Sequence, residues 1–266
     1  MRRLLLTGGS GFLGRALLRA AAGTDWEVTA PSHADLDVRD LGALGPLVRS
    51  LRPAAVIHAA YVRDGAEAWS TIVAGSSAVA EAADEVGARL VHLSSDALFA
   101  GRPRPYREDD EPDPVHDYGR AKAVAERSVA ERSPGAVLVR TSLLYGDAHS
   151  PPVRMVLDAA RAPAGVRFFV DEVRSFAHVD DVAAAVLALA RLDTAGPLHV
   201  AGPQGWSRYD FARRVCAVYG LADGGVIAGS LTDVPGPRPG HVVLDPTLAA
   251  TLVHPPGPVG DRLTAR

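Results

Sequence analysis

Lysine is almost missing from this sequence: Lys122 stands alone against 27 arginines, so guanidinium groups meet the chain's ordinary needs for positive charge. Cysteine is equally scarce. Cys216 is the only one, which excludes an internal disulfide and fits a reducing compartment. The chain also lacks surplus charge of either sign. A net charge of −3 over 266 residues argues against an extended basic surface for nucleic acid. Long hydrophobic runs are lacking too. Met1-Arg2-Arg3-Leu4-Leu5-Leu6 starts like an export signal, but Thr7-Gly8-Gly9-Ser10-Gly11 breaks it early, and no later run is long enough to cross a bilayer. These absences lead us to expect a soluble, cytoplasmic protein with no membrane or nucleic-acid partner and no metal site.

In their place the sequence offers an alternation of short apolar runs and amphipathic stretches. Candidate strands are Arg3–Thr7, Glu27–Ala30, Ala55–Ala59, Arg89–Ser94, Ala136–Arg140 and Leu198–Ala201. Candidate helices are Phe12–Ala21, Leu41–Leu51, Ala66–Glu85, Tyr118–Glu131, Val153–Arg161, Val182–Arg191 and Arg208–Tyr219. Continuously apolar strands separated by helices predict a parallel sheet covered on both faces. Such sheets bind ligands at the carboxyl ends of their strands. After about Gly146 the alternation weakens, and Pro and Gly become frequent in 146–170 and 223–260. The expected division is a nucleotide-binding core over 1–146, which also uses about 177–201. Residues 147–176 and 202–266 then build a substrate-binding region.

The first strand runs into Thr7-Gly8-Gly9-Ser10-Gly11-Phe12-Leu13-Gly14, with Gly8, Gly11 and Gly14 spaced three apart. One glycine allows the tight turn, a second lets backbone approach a pyrophosphate, and a third lets helix and strand pack closely. The helix N-terminus offers N–H donors to the phosphates. Three glycines alone could serve a tight turn with no ligand. Their place after the first strand of an α/β alternation makes a dinucleotide site the better reading. The fold class expected is therefore α/β, a Rossmann-type doubly wound parallel sheet with a small C-terminal substrate-binding region.

The second strand ends in Thr29-Ala30-Pro31-Ser32-His33, without the carboxylate that binds a ribose 2′-hydroxyl. Ser32 and His33 could face a 2′-phosphate, which favours NADP(H) over NAD(H). Asp37 and Val38 could border the adenine, although Asp37 could equally be a helix-entry turn residue. Ala59 and Ala60, at the end of the third strand, complete the expected cofactor site with Ser10, Phe12 and Leu13 of the loop.

The lone lysine lies four residues after a tyrosine, in Tyr118-Gly119-Arg120-Ala121-Lys122. On a helix these side chains share a face. A nearby cation favours the phenolate, which makes the tyrosine a usable proton donor and acceptor near neutral pH. Of the 28 basic residues, only Lys122 and Arg213 sit four after a tyrosine, so chance alone is a weak account of the placement.

The Thr-Gly-x-x-Gly-x-x-Gly loop, the Tyr-x-x-x-Lys pair and a serine at a strand end together resemble the extended short-chain dehydrogenase/reductase family. Within it, Leu93–Gly101, Tyr106–Asp110, Val139–Gly146 and Trp206–Ala212 are similar to the dTDP-4-dehydrorhamnose reductases. The resemblance implies that Tyr118 protonates a carbonyl oxygen while NAD(P)H delivers hydride. It implies that Lys122 holds the nicotinamide ribose and that Ser95 hydrogen-bonds the same oxygen. Asp96 could contact a sugar hydroxyl, and Arg174 and Arg238 resemble positions that grip a diphosphate. Blander roles stand beside these: a strand-end cap for Ser94 and Ser95, surface ion pairs for the two arginines, a solvated loop for the acidic run Glu108–Asp117. His178 is read as packed or capping, and Asp180 or Asp181 as the cap of the next helix.

Two departures from the family stand out. Ile72 occupies the place of an asparagine often found in the long helix before the serine strand. The segment Asp147–Pro152 lacks the asparagine that many sugar-nucleotide enzymes carry. The function expected is an NAD(P)H-dependent reductase of a nucleotide-linked 4-keto-6-deoxysugar, possible as a homodimer. The alternatives are an NAD-dependent sugar-nucleotide epimerase or dehydratase, and a non-catalytic cofactor-binding regulatory subunit.

Overall fold

Leu4, Leu5 and Leu6 of the first strand are all buried to within 1% of complete, which only a sheet covered on both faces allows. The structure is a computed structural model and describes residues 1–62 and 65–265. The amino-terminal part alternates strictly: β1 (Arg2–Thr7), α1 (Phe12–Ala21), β2 (Trp26–Thr29), α2 (Leu41–Leu51), β3 (Ala55–His58), α3 (Ala68–Glu85), β4 (Arg89–Ser95), α4 (Asp117–Arg132) and β5 (Val137–Thr141). Then come β6 (Leu144–Tyr145), α5 (Pro151–Arg161), β7 (Val166–Phe169), β8 (Val173–Arg174), β9 (Ala177–His178), α6 (Val179–Leu189) and β10 (Gly196–His199). The chain finishes with β11 (Trp206–Ser207), α7 (Arg208–Val218), β12 (Val226–Gly229), β13 (His241–Val242), α8 (Thr247–Ala250) and α9 (Val259–Arg262).

The main sheet, among the described residues, has six strands in the order β10-β5-β4-β3-β1-β2, all paired in parallel. It is the doubly wound α/β arrangement expected from the sequence. The six candidate strands are its six strands. Chain direction across the sheet reverses between β1 and β3, so the crevice for a ligand opens at their carboxyl ends. One apolar cluster joins Leu4 and Leu6 to α1 and α6, and a second joins Leu5 to α2 and α3. Alternate residues of one strand thus feed opposite cores.

The later residues build a third apolar cluster from α5, α7, β7 and α9, in which Phe176 and Phe211 stack at 4.0 Å. β8 lies between β11 and β13, and β7 pairs with β12. Among the described residues no helix is long and apolar enough to cross a membrane.

Helix ends refine two expectations. α6 is capped by His178, whose Nδ1 accepts from Asp180 N at 3.3 Å. Asp180 and Asp181 are not the cap: they lie in the first turn and pair with Arg19 and Arg262. The acidic run is not merely solvated either. Glu108 accepts from His199 N at 3.0 Å, and Asp113 from Ala100 N at 2.9 Å, so it laces the loop onto the sheet end.

A row of polar side chains crosses the sheet near its carboxyl end. Thr7 faces His58, His58 faces His92, and Arg140 faces His199 in strand register. Each is at most 3% exposed. Thr7 Oγ1 shares a 2.7 Å hydrogen bond with His58 Nδ1, the two histidine rings stack at 5.4 Å, and Arg140 pairs with Glu126 at 2.9 Å.

Candidate active site

The turn after β1 is steric as much as chemical. Gly8 has φ +78°, and a Cβ there would stand 2.6 Å from the backbone of Ala59 and Ala60. A Cβ on Gly14 would stand 2.1 Å from the Gly8 carbonyl. The loop therefore presses against the end of β3 and against the start of α1. Gly11 caps α1 without any side-chain hydrogen bond, so the first N–H groups of that helix are left to other acceptors. A tight glycine cradle with uncapped donors and the positive end of a helix suits a pyrophosphate, and a dinucleotide fits the site on this ground.

β4 and α4 bring Ser95, Tyr118 and Lys122 to the same crevice. Ser95 closes β4, where its Oγ accepts from Ala97 N at 3.1 Å and lies 3.4 Å from Asp96 Oδ1. It is the strand-end cap foreseen, yet it stays half-buried and faces the cleft. α4 can approach because Gly119 has no side chain: a Cβ there would stand 2.1 Å from the Ala97 carbonyl. His116 caps α4 by accepting from Gly119 N at 3.0 Å. Tyr118 falls in the first turn of α4 and Lys122 one turn on, both lining the cleft.

Lys122 is 4% exposed, and its Nζ donates to the Leu93 carbonyl at 2.9 Å. Burial pushes its ammonium down to about 8, with Glu126 partly opposing the shift. The Tyr61 ring lies 5.4 Å from Nζ and 6.0 Å from the ring of Tyr118. Ile72, at the position where an asparagine was looked for, is buried against Ala121 and Ala125 of α4. An apolar side chain thus supports α4 from behind. The absence goes further, since the chain contains no asparagine anywhere.

Beyond Ser95 the cleft becomes a charged network. Asp96 is buried and accepts from Ser142 Oγ at 2.6 Å, with Arg174 Nε 3.5 Å away. Burial pushes its carboxyl up, against the pull of Arg174 and Ser142. Arg174 reaches Glu172 at 3.5 Å and donates to the Pro239 carbonyl at 2.6 Å. Glu172 also stands 3.8 Å from Arg208. A proline-rich strap, 235–239, forms one wall and carries Arg238, whose guanidinium sits 5.6 Å from the Phe169 ring.

The cleft has a volume of about 620 Å³. It brings together Gly8, Gly11, Phe12, Leu13, Gly14, Ala59, Ser95, Asp96, Tyr118, Lys122, Arg174 and Arg238 of the expected residues. Ser10, Ser32, His33, Asp37, Val38 and Ala60 are not in its lining. Val38 is packed against Gly75, and Arg39 clasps Asp37 at 2.6 Å, holding that carboxyl down to about 2. Ser32 donates to Asp35 at 2.6 Å. Tyr61, His116, Ser142, Glu172 and Arg208 line the cleft without having been singled out. Arg208 and Ser142 had a signal, because they fall in the Trp206–Ala212 and Val139–Gly146 stretches that carry the family resemblance.

Comparison with known proteins agrees with this geometry. The family described as RmlD substrate binding domain matches residues 1–257. The chain is 33% identical over 250 residues to dTDP-4-dehydrorhamnose reductase of Mycobacterium tuberculosis, covering 89% of this chain and 82% of that one. It is 30% identical over 270 residues to methionine adenosyltransferase 2 subunit beta of Xenopus laevis, covering 92% and 80%. Among solved structures, a dTDP-4-dehydrorhamnose reductase from Bacillus anthracis in complex with NADP superposes with a TM-score of 0.88. That match has 24% identity over 96% of this chain and 94% of that one.

Proposed function

The chain belongs to the RmlD substrate binding domain family, and from that premise we propose that it is an NAD(P)H-dependent reductase of a nucleotide-linked 4-keto-6-deoxysugar, with dTDP the favoured carrier. The observation that carries this reading is the convergence of Ser95, Tyr118 and Lys122 on the cleft that the glycine loop also enters. Residues 1–146 with about 177–201 hold the cofactor, and 147–176 with 202–266 hold the substrate. The favoured donor is NADPH, with NADH as the alternative, because no carboxylate closes β2. We place the protein in the cytoplasm, in keeping with its single, buried cysteine.

A bound reduced nicotinamide supplies the hydride to the carbonyl carbon. The chain's own groups manage the oxygen. Tyr118 hands its phenolic proton to that oxygen, and its place in the first turn of α4 puts the resulting phenolate at the positive end of a helix. Ser95 Oγ makes only a long contact with Asp96, so its proton can turn toward the same oxygen. Lys122 uses one N–H on Leu93 and has two others to hold the nicotinamide ribose and the phenolate.

Tyr118→Phe should lower kcat by about 10²- to 10⁴-fold, the usual share of a general acid, with cofactor affinity unchanged. Normal single-turnover reduction by that variant would remove Tyr118 as the acid. An epimerase or dehydratase on this scaffold would return the hydride, so net consumption of NADPH separates it from a reductase. A second reading follows from the methionine adenosyltransferase relative: a regulatory subunit with little chemistry of its own. The intact trio counts against it. Stable association with a methionine adenosyltransferase, together with no turnover of any keto-sugar, would decide for it.

A further inference from the structure

Tyr61 is a large side chain left 52% exposed, yet it lines the cleft. It follows Ala59 and Ala60 just beyond β3, where the glycine loop presses on the backbone. The Lys122 ammonium lies over its ring, with Nζ 5.4 Å from the centroid. The Tyr118 ring stands 6.0 Å away at a tilt of 50°. Lys122 itself is 4% exposed. A half-exposed aromatic ring thus lies against a buried ammonium.

Among the described residues, the other groups around this ammonium do little to neutralise it. Nζ donates to the Leu93 carbonyl at 2.9 Å, which is a dipole and not an anion. Glu126 lies one turn further along α4, but Arg140 of β5 holds its carboxylate at 2.9 Å. His58 of β3 and His92 of β4 also feel the ammonium, and burial keeps both rings neutral. Tyr118, one turn earlier in α4, presents a phenol that becomes an anion only when its proton leaves. The π-face of Tyr61 is of another kind. An aromatic face carries negative potential and attracts a cation within about 6 Å of its centroid, more strongly when that cation is desolvated.

We propose that Tyr61 is a positioning residue of the reaction, whose ring face keeps the Lys122 ammonium charged and in place beside Tyr118 until the phenol gives up its proton. The inference rests on the reading of Tyr118 and Lys122 as the reacting pair. It gives the work to the ring and none to the Tyr61 hydroxyl.

Two substitutions separate the ring face from mere bulk. Tyr61→Phe keeps the face, whereas Tyr61→Leu keeps an apolar wall without it. Because Tyr61 is half-exposed, neither should disturb the fold. Tyr61→Phe should hold kcat within about twofold of wild type, and Tyr61→Leu should lower it about threefold or more. Without the ring the ammonium is less favoured, so the alkaline limb of kcat/KM should move down by about half a pH unit in Tyr61→Leu, the equivalent of one cation–π contact. It should stay in place in Tyr61→Phe.

Urea unfolding of the cofactor-free protein reads the same contact without turnover. The stability gap between Tyr61→Phe and Tyr61→Leu should be widest at pH 7, where the lysine is charged. It should narrow toward pH 9.5 as folded Lys122 releases its proton. In a Lys122→Met background the gap should not vary with pH. A gap that is flat with pH in the presence of Lys122 would overturn the proposal, as would an active Tyr61→Leu enzyme with a wild-type pH profile. Equal damage in Tyr61→Phe and Tyr61→Leu would transfer the role to the hydroxyl and overturn it too. A wild-type protein that reduces no nucleotide-linked keto-sugar would sink the reductase reading, while a gap that still narrows with pH would uphold the hold of ring on ammonium.

Discussion

Lys122 is at once the most informative residue of the sequence and one whose charged form the fold disfavours. Its ammonium sits inside the protein, with burial pulling its pKa from 10.5 to about 8. The unfolded chain therefore holds this proton up to about pH 10.5, while the folded chain releases it near 8. Folding works against the charged form below pH 8, and the penalty is relieved as pH rises from 8 to 10.5. Lys122→Met should accordingly be inactive yet more heat-stable at pH 7, by an amount on the order of 2–3 kcal/mol. The gap in Tm should shrink above pH 8. Lys122→Arg keeps a charge that cannot be neutralised and needs more room, so it should lose about 10²-fold or more in kcat. A fully active arginine variant, measured by steady-state NADPH consumption, would make the lone lysine a coincidence.

Gly119 shows why the approach of α4 to β4 decides the site at the scale of elements. Gly119→Ala puts a methyl into the Ala97 carbonyl, so the helix must lift away from Ser95. The variant should still bind NADPH through the glycine loop and yet lose about tenfold or more in kcat, since angstrom-scale misplacement of reacting groups is costly. Isothermal titration of NADPH beside steady-state rates checks both halves. The elements themselves were well foreseen. The six sheet strands and seven main helices follow from apolar runs and 3.6-residue periodicity, because each buries a run or a face within its own length. The short pairings β6–β9 and β11–β8–β13 carry no such signal. Two residues have no period, and tertiary contact alone makes them strands. The same logic divides the site. Tyr118 and Lys122 are neighbours on one helix, so their spacing was legible. Asp96, Ser142, Glu172 and Arg208 come from four separate segments, so no local pattern announces their network. At the start of α6 the His178 ring, read as packed or capping, takes the cap, and Asp180 and Asp181, read as the cap, fall in the first turn instead.

Across the whole molecule, the row of neutral histidines couples stability to acid. Burial pushes His58 down to about 3 and His199 to about 4, each assisted by a nearby cation, and His92 well below its ordinary value. Unfolded histidines take up protons near pH 6.5, so the unfolded state binds more protons between about 6.5 and 4. Stability is complete above pH 6.5 and falls as the pH drops through that window, by several kcal/mol in order of magnitude. Thermal melts at pH 7, 6, 5 and 4.5 should show the decline, and His199→Phe should remove its share and make the decline shallower. The buried Arg140–Glu126 pair tightens the same layer. Glu126→Gln, which strands the guanidinium, should cost about 3–5 kcal/mol in urea unfolding.

The seclusion of Lys122 also gives the protein a reporter of its own. Apart from the chain's terminus, it carries one amine, and that amine lies in the cleft with its proton held loosely. An amine-directed reagent, or a single isotope-labelled methyl pair added to Nζ, would read cleft occupancy at one atom, with no other side chain to confuse the signal.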